Sequence, residues 1–191
     1  MLGLVLKHRD EEELDRSARL QEALQLHSAL AALDSHLAQN LLTGDKTEVA
    51  QCMIDLALCC SARLTLYNLY GCNEPDSRER VAQESAMQSM ALEGIRSIAS
   101  DRIPNIARKI LQNEEKAQEI GSPLMLQSLY HAATEAQWFL REDSWPEMEP
   151  AIEVTTAALK LLGRRWKVAG KLPLRFLDVF WFIMSQECIS I

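Results

Sequence analysis

One stretch constrains the fold more than any other: AQCMIDLALCCSARLTLYNLYGC, residues 50–72. Helical spacing places Val49, Met53, Leu56, Cys60, Leu64 and Tyr67 on one face. Cys52, Leu58, Cys59, Ala62 and Leu66 cover most of the other side. A helix that is apolar nearly all round is one that other helices enclose. The chain must therefore supply several more helices to surround it. Asp55 and Arg63 are the two charges in its central part. A buried charge without a partner is very costly. The two lie eight residues apart, beyond the three- or four-residue reach of a helical pair. Each is expected to meet another helix, a loop, or water at the edge.

The same stretch holds four of the five cysteines, Cys52, Cys59, Cys60 and Cys72. Tetrahedral zinc sites use pairs such as C-x2-C, whereas the spacing here is C-x6-C-C-x11-C. Cys59 and Cys60 diverge by ~100° on a helix, so they cannot share an ion. No histidine lies between residues 37 and 130 to complete a ligand set or to activate a thiol. Cysteine in this setting reads as a small hydrophobe of the core. The expectation is no metal ligand, no catalytic residue and no cofactor-binding residue in the stretch.

The rest of the chain reads as helical. There is no alternating strand pattern and no Asn-Gly or Asp-Gly hairpin signal. Leu20, Leu24, Leu30, Leu33, Leu37 and Leu41 form a stripe that predicts a first helix over about 11–42, with a break near Asp34-Ser35 as an option. Asp45 with Glu48, Asp76 with Glu79, and Ser144 with Glu147 are capping-box pairs that mark later helix starts. The second helix is expected to run to about Tyr70. Val81, Met87, Met90, Ala91, Ile95 and Ile98 face inward on the third. Asp101 is expected to cap a fourth helix with Pro104 in its first turn. Ser122 caps a fifth, with Pro123 at its first position, and the main sixth helix is expected to begin near residue 150. Gly44, Gly71, Gly121 and Gly170 stand where helical patterns stop. Short connections favour antiparallel neighbours. The fold class expected is all-α, a single compact antiparallel bundle of about six or seven helices.

Length and charge narrow the functions. At 191 residues, with 48% hydrophobic and 25% charged residues, the chain suits one globular domain. Asp plus Glu total 27 against 20 for Lys plus Arg, a net charge of −7. Direct binding to nucleic acid or to an anionic membrane needs clustered positive charge. Only Lys160 to Lys171 is locally basic, and cations there complement a helix C-terminus. The start, MLGLVLKHRDEEE, has no basic lead and no cleavage site. The thiols are expected to be free in a reducing compartment. There is no H-E-x-x-H, P-loop, G-x-G-x-x-G or G-x-S-x-G. His8, His27, His36 and His131 are scattered, and His131 reads as a hydrogen-bonded core or boundary histidine. Trp138, Trp145 and Trp166 read as core or loop anchors, with an aromatic-lined pocket between the last helices as the alternative.

Two stretches carry a family resemblance: LALCCSARLTLYNLYGCNEPDS and EAQWFLREDSWPEMEPAIEVTTAALKLLGRRWKVAGK. The first ends in a tail built on Leu66, Tyr67, Tyr70 and Cys72. The second ends in a late helix from Leu159 to Lys171. They resemble the C-terminal all-helical regulatory domain of fungal Zn2Cys6 (binuclear zinc cluster) transcription factors, over about residues 28–171. The resemblance implies a nuclear regulatory domain without catalytic activity. Its partners would be proteins of the transcription machinery or a second copy, with a small-molecule effector as a further option. These 191 residues contain no six-cysteine zinc cluster, and Cys52 to Cys72 do not stand in for one.

Residues 1–171 therefore read as one helical regulatory domain. Residues 172–191 read as an atypical apolar tail, because three of the four phenylalanines fall in 176–182. That tail is expected to come from a different exon or an unspliced intron, and the start from a truncated gene model. The competing reading of the whole chain is a stand-alone helical adaptor or effector-sensing domain.

Overall fold

In the computed structural model the polypeptide is described over residues 1–11, 15–43, 46–71, 82–113, 122–142, 145–146 and 148–163. All regular structure among these residues is helical: α1 (Leu2–Asp10), α2 (Arg16–Thr43), α3 (Lys46–Gly71), α4 (Ala82–Ser97), a π-helical turn (Ile98–Arg102), α5 (Ile103–Gln112), α6 (Pro123–Glu142) and α7 (Met148–Gly163). The all-α expectation holds. Cys72, Cys188, Trp166, the basic residues after Lys160, the capping-box pairs, Gly44, Gly121, Gly170 and the tail 172–191 lie outside the described residues and side chains.

α3 is the central helix. Cys52, Met53, Leu56, Cys59, Cys60, Leu64, Leu66 and Tyr67 are buried, and with the buried Ala57, Ser61 and Ala62 they cover more than half of its circumference. It packs against α1, α2, α4, α5 and α6. Val49–Gly71 is long and apolar enough to cross a membrane by length and composition, and 56% of its most apolar window is covered by the other helices. The α2–α3 pair is antiparallel, since His27 meets Tyr67, Leu30 meets Cys59, and Leu37 meets Cys52. Asp55 solves its charge at the edge, where Gln51 Nε2 donates to it at 2.9 Å.

The first helix expected over 11–42 is α2, a single helix that starts at Arg16, and a further helix precedes it. α1 is a separate element that buries Val5 and His8. α2 starts later because Asp15 caps it: its Oδ1 accepts from the Ser17 and Ala18 amides at 2.9 and 3.0 Å. There is no break at Asp34-Ser35. The Ser35 hydroxyl donates back to the Ala31 carbonyl at 3.0 Å, which leaves the helix intact.

Asp101 does not cap a new helix. α4 continues through the π turn into α5, and Asp101 lies inside that turn. Pro104 explains the local widening. It has no N–H to donate, and its ring would meet the carbonyl four residues back in an α-helix. The turn relaxes to a longer closure, in which the Ile103 amide donates to the Ile98 carbonyl. Ser122 does cap α6, its Oγ accepting from the Met125 amide at 3.1 Å. α7 begins slightly before residue 150, at Met148, whose amide donates to the Trp145 carbonyl at 3.1 Å.

Gly94 lets α4 come down onto the Tyr67 ring. A Cβ at Gly94 would overlap Tyr67 Cε2 and stand 2.8 Å from Cδ2 and Cζ. Gly94→Ala is therefore expected to destabilise the fold by ~1–3 kcal/mol through overpacking, read as a lowered urea midpoint. In a Tyr67→Ala background the same change should cost little. Equal costs in both backgrounds would show that the ring is not what limits the site.

Candidate functional site

A buried charged cluster lies where α2, α3 and the π turn meet. Asp34 is on the Leu30–Leu37–Leu41 stripe of α2, so its carboxylate is carried inward with the leucines. Its side chain is 4% exposed. Arg63 Nη1 and Arg102 Nη2 each stand 3.2 Å from its Oδ2. Arg63 is 12% exposed and Arg102 35%, so one cation is internal and the other sits on the rim. Asp34 Oδ1 is buried without a hydrogen-bond partner among the described residues. The charge that sequence logic required Arg63 to find is thus on the neighbouring helix.

Arg63 also orders an aromatic chain. Its Nε donates to Tyr67 Oη at 3.1 Å, and its guanidinium lies 5.6 Å from the Tyr67 ring centroid. Tyr67 Oη is 3.0 Å from His27 Nδ1. With Arg63 donating to the oxygen, the tyrosine proton is free to go to Nδ1, which puts the His27 proton on Nε2. Burial, with Arg63 nearby, lowers the His27 pKa below its ordinary value, which favours that neutral ring. Burial also raises Tyr67, although Arg63 opposes the rise. Burial works against the Arg63 charge too, and Tyr67 and Asp34 outweigh it, leaving its pKa raised.

The thiols beside this cluster are neutral at ordinary pH. Burial, with help from Asp34, pushes Cys59 up to about 11 and Cys60 higher still. Cys59 Sγ donates to the Leu30 carbonyl at 3.5 Å, and Cys52 Sγ to that of Leu37 at 3.0 Å. All three are free and buried. They fill core volume and are not activated as nucleophiles.

Two smaller polar clusters tie helices together. His8 Nδ1 lies 2.6 Å from Glu22 Oε2 and its Nε2 2.8 Å from Tyr70 Oη, linking α1 to α2 and α3. Asn68 Nδ2 donates to Glu135 Oε1 at 2.8 Å and stands 3.2 Å from His131 Nε2, linking α3 to α6. The boundary role expected of His131 matches this position. Among the described residues no group of three His, Cys, Asp or Glu is arranged to hold a metal ion. Trp145 meets Phe139 edge-on at 6.4 Å, and Arg96 lies 3.8 Å over its face. The Trp145 ring borders a groove of about 270 Å³ lined also by Glu93, Arg96, Ser97, Ser100, Asp101 and Met148.

Several of these features were not read from the sequence: the inward role of Asp34, the His27–Tyr67–Arg63 chain, Gly94 and the π turn. Asp34 left a signal, since it sits at helical spacing from Leu30, Leu37 and Leu41. The fold and its cluster define an all-helical domain organised around a buried ion-pair network. Compared with known proteins, the chain matches no family model, no curated protein and no solved structure.

The shifted groups set a pH window for stability. Cys59, Cys60 and Tyr67 have folded pKa values above their ordinary ones, so their stabilisation is complete below those ordinary values. It is lost as pH rises, from about 9 for the thiols. His27 is depressed, so its contribution is present above about 6.5 and fades on acidification. The expected urea midpoint is flat between these limits and falls on both sides. At pH 8, peptide-level mass spectrometry should find Cys59 and Cys60 unalkylated in the native state and modified in urea.

Proposed function

We propose that this chain is a regulatory, protein-contact domain of a zinc-cluster-type transcription factor. It acts in the nucleus through partners in the transcription machinery or a second copy of itself, with no catalysis of its own. The observation that carries the reading is where the resembling stretches fall. One lies on α3, and the other spans the end of α6 and α7. α3 packs on α6 and α6 on α7, so the parts of the two stretches that lie on these helices belong to adjoining elements. A net charge of −7 agrees with a module that leaves contact with DNA to another part of a factor.

The test is a fusion of the chain to an unrelated DNA-binding domain over a reporter gene in a fungal cell. A several-fold change in output against the DNA-binding domain alone is expected, and it should vanish when the fold is broken by Leu56→Asp. Equal output from the fusion and from the DNA-binding domain alone, at equal protein level, would reject the reading. The second reading, an effector-sensing domain, is favoured by the groove beside the π turn.

A further inference from the structure

The groove at the π turn is rich in hydrogen-bond acceptors. Glu93 and Asp101 contribute carboxylates, and Ser97 and Ser100 contribute hydroxyls. All four project from the same α4–π segment, at the three- and four-residue steps that align side chains on one face. The groove lies along the π turn. Helical turns of this widened kind occur often at functional sites.

The cation of the groove is committed elsewhere. The Arg96 guanidinium lies 3.8 Å over Trp145 and 5.5 Å from the Phe139 centroid, and Glu93 Oε2 is 3.5 Å from Nη1. Asp101 engages a neutral group, accepting from Asn105 Nδ2 at 2.7 Å. One positive and two negative side chains leave the lining at a net −1, within a chain of net −7. Such a field concentrates small cations at the groove mouth.

We propose that this groove binds a small organic cation bearing N–H donors, of the primary-amine class. The ammonium pairs with Asp101, and Ser97 and Ser100 take its neighbouring polar groups. Glu93 completes the negative side while holding Arg96 against Trp145. The volume, about 270 Å³, is near the lower end of small-molecule sites, ~300–1,000 Å³, and so suits a metabolite-sized ligand. The assignment rests on the groove and not on a role in transcription, so either can fail without the other.

The test uses the full chain, labelled for NMR, and three size-matched probes: 2-aminoethanol, ethylene glycol and glycolate. Saturable shifts centred on Ser97, Ser100, Asp101 and the Trp145 indole are expected with 2-aminoethanol. Ethylene glycol should bind at least about tenfold more weakly and glycolate not at all. Asp101→Asn, at an exposed position, should keep the spectrum of the fold and weaken 2-aminoethanol about tenfold. Raising the salt should weaken it further. The proposal is overturned if no probe gives saturable shifts at these residues, if glycolate binds as well as 2-aminoethanol, or if Asp101→Asn binds like the parent.

Discussion

Leu56→Asp should abolish cooperative folding. Leu56 is 3% exposed on the central helix. Removing a buried leucine side chain alone costs ~2–5 kcal/mol. The new carboxylate adds the several kcal/mol of an uncompensated buried ion. Together these rival the ~5–15 kcal/mol by which a domain is stable at all. Circular dichroism should show loss of a sigmoidal thermal transition, whereas Leu56→Met, which keeps the volume, should cost less than ~1.5 kcal/mol and melt normally. A soluble Leu56→Asp protein with a sharp transition near that of the parent would refute the central place of α3.

The second large effect concerns the buried ion pair. Arg63→Met should cost ~3–5 kcal/mol, because Asp34 is then left in the core with only the rim cation Arg102. Asp34→Leu should be costly as well, since it strands the largely internal Arg63 charge. The double variant Asp34→Leu/Arg63→Met removes both internal charges and leaves Arg102 partly solvated. It should be more stable than the sum of the single costs implies, by ~0.5–3 kcal/mol of coupling in urea titrations. Strict additivity would mean that the two side chains do not act as a pair. The unpartnered Asp34 Oδ1 makes this pair an imperfect one. Replacing imperfect buried pairs by well-packed apolar groups is often neutral or stabilising, so the double variant should lie closer to the parent than either single variant.

The bundle was legible in the residues because its signals are local. Alternation of leucines at three and four residues, the Ser122 cap and the all-round apolar character of 49–70 each follow from the geometry of a single helix. Where expectation and structure part, the cause is local competition that pattern reading weighed wrongly. Asp15 is a better start for α2 than the acidic run before it, because its carboxylate can reach two free amides. Asp101 with Pro104 reads as a helix start, yet a wider turn absorbs the missing proline donor at less cost than breaking the helix.

The buried network is a different case. The sequence alone determined that Arg63 needed a partner, since a charge on an enclosed helix face cannot stay unpaired. It could not say which of 27 acidic residues would serve. That choice depends on how far α2 slides along α3, and on the π turn that carries Arg102 to the same carboxylate. The same placement brings Gly94 over Tyr67 and opens the groove at Asp101. Helix identity is set by contacts three and four residues apart. Register between helices is set by side chains tens of residues apart, and only the packed tertiary structure decides it.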